Sequence, residues 1–242
     1  MAALTWQAFE AEVARRKPVF WWRDDDAATL TPELERLLVL AEGSRVPLAL
    51  AVIPLRAEPA LFSRLRHGVD VLQHGTDHAN RAAAGEKKTE FPPAEPPAEA
   101  LARLARGSER LRELAGPRAL PVLAPPWNRF RADLVARLPS IGLRGLSAYG
   151  ARASAAPAPG LMQVNTQVDL VAWREDKRFI GEEQALALAV NCFTRGEPVG
   201  WLTHHAVHED AAWRFLERLF SVRGARWSSA AELFSYNRPA HA

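Results

Sequence analysis

Cysteine is nearly absent from this sequence of 242 residues, in which Cys192 is the only one. A single thiol excludes an intrachain disulfide framework and a zinc site built from several cysteines. Cys192 lies within an apolar helical pattern, so we interpret it as a buried, unreactive thiol and not as a nucleophile.

Long apolar runs and blocks of like charge are also missing. No stretch reaches the roughly 18 apolar residues of a membrane span, and residues 1–16 lack the charged-then-apolar layout of a signal peptide. The formal net charge of +3 comes from scattered arginines, which gives little reason to expect a nucleic-acid partner. The sequence therefore predicts a cytoplasmic protein without nucleic-acid or membrane partners, and it leaves the oligomeric state open.

The apolar fraction of 48% is ample for a packed core. A length of 242 residues is long for an ordinary domain but normal for a single barrel. No linker or internal repeat marks a boundary, so we treat residues 1–242 as one domain.

Strand patterns alternate with helical patterns about seven times along the chain, which predicts an α/β fold with a parallel sheet. The apolar run Pro47–Ile53, for example, is typical of a strand covered on both faces. The predicted strands are Phe20–Trp22, Pro47–Ile53, Val69–Gln73, Pro121–Ala124, Leu143–Ser147, Leu161–Thr166 and Val199–Thr203. The predicted helices are Thr5–Arg16, Thr31–Glu42 (ending at Gly43), Ala57–Arg66, Ala98–Leu114, Arg131–Leu138, Glu182–Phe193, Asp210–Val222 and Ala230–Tyr236.

The segment Ala82–Pro97 interrupts this alternation. It is polar and rich in proline, a composition typical of an exposed loop. The sequence leaves open whether this loop closes over a site as a lid or flap.

An acidic run, Arg23-Asp24-Asp25-Asp26, directly follows apolar residues 19–22. Carboxylates this close repel one another unless a positive charge lies among them, so the run is either a solvated turn or part of a site. His74 and His78 favour a site, because one carboxylate and two imidazoles form a standard ligand set for a divalent metal with one open position. Their spacing places both imidazoles on one face of a helical turn. Since these residues follow predicted strands, we expect them to meet at one face of a barrel.

A second histidine cluster, His204-His205 with His208, follows the strand Val199–Thr203. Three interpretations stay open. His204 is a general acid, since imidazole titrates near neutral pH; or His204 and His208 bind a second metal; or the cluster is a solvated helix start.

Two more segments behind predicted strands carry candidate pocket residues. Pro126 and Trp127 can wall a pocket, although a tryptophan more often fills a core. Asp169 either orients a catalytic group or caps a turn. Trp173, like Trp127, suits stacking on a sugar ring or filling the barrel.

In this order the motifs resemble those of the polysaccharide deacetylase family, the carbohydrate esterases with a NodB homology domain, from about Val19 to Tyr236. Arg23-Asp24-Asp25-Asp26 stands where the family has Thr-Phe-Asp-Asp, and His74 to His78 matches His-Ser/Thr-x-x-His with Gly75 at the Ser/Thr position. The later matches are Ala124-Pro125-Pro126-Trp127-Asn128 for Arg-x-Pro-Tyr-Gly, Asp169-Leu170-Val171-Ala172-Trp173 for Asp-x-x-Asp-Trp, and Leu202-Thr203-His204 for Leu-x-His.

This resemblance implies a distorted (β/α)₇ barrel and a metal-dependent hydrolase that removes acetyl groups. It implies Asp25 as catalytic base and His204 as general acid. The implied metal ligands are Asp26, His74 and His78, which would hold one divalent ion, Zn²⁺ or alternatively Co²⁺ or Ni²⁺. The residues expected to contact a carbohydrate or other small substrate are Pro126, Trp127, Asp169, Trp173 and Leu202.

Two departures from the family pattern predict a divergent member. The arginine of the third motif is Ala124 here, and the second aspartate of the fourth is Ala172. In the family these two are expected to pair and to tune the base. Losing one alone would leave a buried charge unpaired at a cost of about 3–5 kcal/mol, whereas losing both removes the pair. Arg23, Arg129 and Arg174 are the candidates to replace the missing positive charge.

Different classes of function stay open. The first is a deacetylase acting on an N-acetylated sugar or a related small amide. The presence of both Asp25 and His204 favours it, because binding alone requires neither. The second is a non-catalytic carbohydrate-binding or regulatory domain with a structural metal. A third is another barrel metallohydrolase such as a phosphoesterase, which more often needs additional ligands for two metals.

Overall fold

The computed structural model describes residues 4–235. Its α-helices are α1 (Trp6–Arg16), α2 (Pro32–Ser44), α3 (Pro59–Arg64), α4 (Pro97–Ala115), α5 (Ala132–Val135), α6 (Glu182–Cys192), α7 (Asp210–Ser221) and α8 (Ala230–Leu233). Within these residues, no helix is both long and apolar enough to cross a membrane.

The β-strands are β1 (Val19–Ala27), β2 (Leu48–Val52), β3 (Val69–His74), β4 (Ala119–Ala124), β5 (Gly145–Leu146), β6 (Met162–Gln163), β7 (Val168–Asp169), β8 (Val171–Ala172), β9 (Arg178–Phe179), β10 (Val199–Thr203) and β11 (Arg226–Trp227). Short 3₁₀ turns lie at Pro54–Arg56, Gly116–Arg118, Pro126–Asn128, Leu138–Ile141, Phe193–Arg195 and His205–Val207. Strands β8 and β9 form a separate antiparallel hairpin.

The main sheet is parallel, in the order β6-β5-β4-β3-β2-β1-β10-β7, with β11 beside the start of β1. Only residues 164–167 separate β6 from β7, so one extended stretch pairs with β5 at its beginning and with β10 at its end. Strands β1 to β5, this stretch and β10 together make seven strands, which curl into a barrel with helices outside. The predicted distorted (β/α)₇ fold is therefore confirmed.

Both faces of the central strands are buried, as expected where helices cover a parallel sheet. In β2, Leu48 and Leu50 belong to the cluster beneath the helices, whereas Ala49 and Ala51 belong to the cluster that also contains Trp21. Large and small side chains thus alternate along the strand with the period of two that β-structure imposes. This packing gives the strand ends, which carry the polar residues, a rigid support.

The first predicted strand is too short. β1 does not end at Trp22 but continues through the acidic run to Ala27. Asp24 and Asp25 are buried inside the protein, so the run is not a solvated turn. The strand continues because each of these carboxylates finds a polar partner in the interior.

Several predicted helix ends are also wrong. α2 continues past Gly43 to Ser44 and ends where Arg45 adopts a left-handed conformation, at φ 59°. The helix predicted over 131–138 is one short α-helix, Ala132–Val135, followed by a 3₁₀ turn. α8 begins with the expected capping box of Ser229 and Glu232; its predicted end, Tyr236, lies outside the described residues.

Candidate active site

The end of β1 places two aspartates in different surroundings. The pairing register between β1 and β2 shifts between Asp24 and Ala27, and Asp26 has a positive φ of 72°. Irregularities of this kind re-aim a side chain. Asp24 contacts His205 in the loop after β10, whereas Asp26 contacts His74 at the end of β3 and His78 in the loop that follows.

Asp26, His74 and His78 converge on one point. Oδ1 of Asp26 lies 3.0 Å from Nε2 of His74 and 3.1 Å from Nε2 of His78. One ligand atom from each of the three residues lies within 4.8 Å of the other two. His74 is the last residue of β3 and His78 lies in the following turn, with φ 57°. The helical geometry predicted for the two histidines is wrong: the turn itself brings their rings together.

These three residues fit a divalent metal. Nδ1 of His74 donates to the Ala124 carbonyl at 3.0 Å, which leaves Nε2 as the free donor atom, the usual arrangement for a histidine ligand. Burial raises the pKa of Asp26, but hydrogen bonds from His74 and His78 outweigh it and hold the pKa well below its usual range. One carboxylate and two imidazoles facing a cleft suit a site with an open coordination position.

Glu90 holds the turn that carries the histidine ligands. Its buried carboxylate accepts hydrogen bonds from the backbone N–H of Thr76 at 3.0 Å and of Asp77 at 3.0 Å, and from the Thr76 hydroxyl. Arg103 lies 3.4 Å from the same carboxylate. Burial raises the pKa of Glu90, and the hydrogen bonds to Thr76 oppose that rise.

This contact explains why Gly75 stands at the Ser/Thr position of the family motif. Gly75 has φ +60°, and a Cβ there would lie 1.9 Å from Glu90 Oε2 and 2.6 Å from Pro126 Cδ. No side chain fits in that space while Glu90 occupies it. Glu90 can therefore occupy this position only because residue 75 is a glycine.

Segment 82–97 is anchored and only in part exposed, contrary to the expectation of an exposed loop. Glu90 and Phe91 are buried, and Phe91 packs edge-on against Phe130 at 5.1 Å. Arg103 donates to Glu95 at 2.8–2.9 Å. Residues 83–88, in contrast, are exposed.

Arg23 binds the proposed base. Its side chain is fully buried; Nη2 donates to Asp25 Oδ2 at 2.9 Å, and Nε lies 2.8 Å from Asp25 Oδ1 in an ionic contact without hydrogen-bond geometry. The guanidinium also donates to Asn128 Oδ1 at 2.8 Å and to the carbonyl and hydroxyl oxygens of Ser147 at 2.8 and 2.7 Å. The guanidinium of Arg23 thereby balances the charge of the Asp25 carboxylate and holds it in one orientation.

Among the three candidates to replace the family arginine, the structure selects Arg23. Arg129 and Arg174 are exposed, and neither contacts a carboxylate within residues 4–235. Arg23 lies two residues before Asp25 on one strand, so both side chains lie on the same face. The positive charge beside Asp25 thus comes from the same strand as Asp25 and not from the position of Ala124.

His204 lies between two carboxylates. Nδ1 is 3.7 Å from Asp169 Oδ1, and Nε2 is 4.0 Å from Asp25 Oδ2. Trp173 packs edge-on against the His204 ring at 4.6 Å and donates from Nε1 to Asp169 Oδ2 at 2.8 Å. Burial raises the pKa of Asp169, although His204 and Trp173 act against it. An imidazole in this position can donate a proton to a group bound in the cleft or accept one from it.

The rival second metal site does not form from His204 and His208. Nε2 of His208 accepts from the His204 backbone N–H at 3.3 Å, and His205 Nδ1 pairs with Asp24 Oδ1 at 2.5 Å. Asp24 also accepts from the Thr203 hydroxyl at 2.7 Å. Burial lowers the pKa of His205, but the charge of Asp24 and their hydrogen bond raise it overall. In the part of the chain that the structure describes, Asp26, His74 and His78 are the single cluster with metal-site spacing.

His208 is expected to make the protein less stable in acid. Burial lowers its pKa to about 4. Between pH 6.5 and 4, His208 is therefore protonated in the unfolded chain but not in the folded protein. This contribution to stability is complete above pH 6.5 and is lost as the pH falls, by at most about 3 kcal/mol. We expect His208→Gln, which keeps an acceptor for His204, to flatten the fall in unfolding free energy measured by denaturant titration. The exposed His67→Gln is the control, and equal slopes in all three proteins would contradict this assignment.

The site opens into a cleft of about 1250 Å³. The structure brings most of the predicted site residues to its wall: Asp25, Asp26, His74, His78, Trp127, Asp169, Trp173 and His204. Pro126 and Leu202 are buried and lie outside this lining. Trp127, at φ 55°, packs against His78 with ring centroids 4.4 Å apart.

Sequence reasoning missed Glu90 and the β8–β9 hairpin. Strands of two residues give no periodic signal, so the hairpin that carries Arg174, Lys177 and Arg178 into the cleft wall stayed undetected. A glutamate in a polar, proline-rich segment gives no sign of burial. Gly75 at a Ser/Thr position was the available clue that another side chain fills this space.

Comparison with known proteins supports the fold at low sequence identity. No protein-family model and no curated protein matches this sequence. Among solved structures, the chain is similar to a family 4 carbohydrate esterase from Streptomyces lividans in complex with acetate, with 15% identity, coverage of 87% and 91% of the two chains and a TM-score of 0.55. It is also similar to the peptidoglycan deacetylase PdaC from Bacillus subtilis, with 14% identity, coverage of 91% and 92% and a TM-score of 0.57.

A third similar structure is a CE4 family pseudoenzyme from Bacillus anthracis, with 13% identity, coverage of 93% and 68% and a TM-score of 0.57. The barrel and its ligand cluster define an α/β protein with a candidate metal centre at the strand ends. More particularly, the chain has the fold of the family 4 carbohydrate esterases, the polysaccharide deacetylases, and its resemblance to them is confirmed in three dimensions. Since one neighbour is a pseudoenzyme, the fold leaves activity undecided.

Proposed function

We propose that this protein is a metal-dependent deacetylase that hydrolyses the amide of an N-acetylated sugar or a related small molecule. One observation carries the proposal: the cluster of Asp26, His74 and His78 faces a cleft in which Asp25 and His204 also lie, 4.0 Å apart. A ligand cluster beside a carboxylate and an imidazole suits metal-assisted amide hydrolysis, in which a general base activates water and a general acid protonates the leaving nitrogen.

Asp26, His74 and His78 would hold the ion, which we propose to be Zn²⁺, with Co²⁺ or Ni²⁺ as alternatives. Such an ion supplies Lewis acidity that polarises an acyl carbonyl and lowers the pKa of water. Asp25, oriented by Arg23, accepts the proton of the attacking water at its carboxylate. His204 donates a proton to the leaving nitrogen, and Asp169 orients its ring from the other side. Trp127 and Trp173 exclude water and offer faces for a sugar ring.

A non-catalytic carbohydrate-binding domain is the second candidate, because a pseudoenzyme shares the fold. The buried Arg23–Asp25 pair argues against it. A binding domain has no need of a carboxylate such as Asp25, which lines the cleft beside the ligand cluster and is held in one orientation by a buried arginine.

Metal content measured by mass spectrometry tests the proposed centre. We expect about one zinc, cobalt or nickel ion per chain in the wild type and loss of that ion in Asp26→Ala, because a site with three protein ligands rarely keeps its metal with two. Glu175→Ala, which removes another carboxylate of the cleft lining, should keep the ion. A wild type that takes up no ion even from excess metal would overturn the deacetylase proposal.

A further inference from the structure

Five basic residues stand at the mouth of the cleft. All five are exposed and line it, and they come from three separate segments: Lys88, Arg129, Arg174, Lys177 and Arg178. Two belong to the anchored segment and the turn after β4, where Arg129 Nη1 donates to the Lys88 carbonyl oxygen at 2.8 Å. The other three belong to the β8–β9 hairpin.

The acidic residues of the cleft do not cancel these charges. On the floor, Arg23 balances the charge of Asp25, Asp26 belongs to the candidate metal cluster, and Asp169 lies beside His204. At the mouth, two acidic side chains of the described residues 4–235 line the cleft, Glu175 and Glu209, and Glu209 accepts a hydrogen bond from the backbone N–H of Phe179 in β9. The mouth therefore carries an excess of positive charge.

These cations are also free to meet a ligand. Within residues 4–235, none of the five has a carboxylate within 4.0 Å of its charged atoms. Like charges gathered at a cleft focus the electrostatic potential and raise the local concentration of an anion. A neutral polymer of sugars gains nothing from such a mouth.

We propose that the cleft takes an N-acylated sugar that carries an anionic group, a phosphate or a carboxylate; this inference rests on the proposed function. The acyl group would lie on the floor beside Asp25, with the sugar ring near Trp127 and Trp173. The anion would lie at the mouth, within reach of Arg174, Lys177 or Arg178.

Calorimetric titration of the metal-loaded protein tests the charge preference without relying on turnover. The ligands are N-acetylglucosamine, N-acetylglucosamine 6-phosphate and N-acetylmuramic acid, so that the last two separate phosphate from carboxylate. We expect at least one anionic ligand to bind about tenfold more tightly than the neutral sugar at low ionic strength, and this preference to shrink in 0.5 M salt.

Two triple variants with the same change in charge locate the effect. Arg174→Gln/Lys177→Gln/Arg178→Gln should abolish the preference, whereas Arg106→Gln/Arg112→Gln/Arg223→Gln, which alters exposed residues outside the cleft lining, should keep it. An anion preference that survives the hairpin variant would point to direct contact with the metal and overturn the inference, as would equal binding of all three ligands.

Turnover of the same ligands separates the two proposals. Hydrolysis of the neutral sugar without anion preference would support the deacetylase activity and rule out the proposed preference for an anionic substrate. Tight, hairpin-dependent anion binding without any hydrolysis would uphold the charged mouth and count against the deacetylase.

Discussion

Asp25→Asn is expected to lower turnover by about 10²–10⁴-fold while the protein keeps its metal. The range is what a positioned general base contributes. Asn cannot accept the proton of the attacking water, and the ligand cluster of Asp26, His74 and His78 does not include Asp25. The measurements are steady-state hydrolysis of an acetylated substrate and metal content of the same preparation.

The same substitution also removes the counter-charge of a fully buried arginine. Arg23 forms its ion pair with Asp25 alone, in the part of the chain described, and breaking a buried pair at one partner costs about 3–5 kcal/mol. Asp25→Asn is therefore expected to be less stable as well as far less active, and the fall in activity by itself would be ambiguous.

The double variant Arg23→Gln/Asp25→Asn resolves this ambiguity, because it removes both charges and leaves amides that can still bind Asn128 and Ser147. We expect it to regain much of the lost unfolding free energy, to bind metal and to stay inactive. Double-mutant coupling of this kind isolates the pair. Full turnover in either variant would remove Asp25 from the mechanism. With Arg23→Gln measured as the second single variant, additive effects on the unfolding free energy would show that the two charges are not coupled.

Gly75→Ser, a change toward the family motif, is expected to damage the metal site. The Cβ of the new serine would lie 1.9 Å from Glu90 and 2.6 Å from Pro126, and the serine would have to keep the left-handed φ of +60°. Overpacking costs about 1–3 kcal/mol, and a left-handed residue adds about 1–2 kcal/mol. Because Glu90 would have to leave Thr76 and Asp77, the turn between His74 and His78 would lose its support. We expect metal affinity to fall by about 10–100-fold, as for other groups that orient ligands.

Gly68→Ser is the matched control for that experiment. Gly68 also has a positive φ, +85°, but nothing lies within 4 Å of its hypothetical Cβ. This variant therefore reports backbone strain without the collision. Metal titration and thermal unfolding of both variants separate the two effects. Equal metal affinity in Gly75→Ser and Gly68→Ser would show that Glu90 does not support the ligand turn.

Much of the scaffold was predictable because it depends on local patterns. The apolar run of β2, the strand Val199–Thr203 and the capping box of α8 lie where the sequence predicts them. The polar residues that follow strands meet at one end of the barrel, since parallel strands all point the same way. The alternation of strands and helices and the order of the motifs thus determined the fold class and most members of the candidate site.

The sequence alone could not assign partners to the buried charges. Three arginines were equal candidates to balance the charge of Asp25, and only the family resemblance, not the residues themselves, gave Asp25 and Asp26 separate roles. The register shift near Asp26 sends one aspartate toward His74, while Asp24 pairs with His205 across 181 positions of the chain. A buried charge is stabilised by whichever opposite charge or donor lies within a few ångströms. That neighbour is fixed by strand register and barrel closure, so only the tertiary structure decided it.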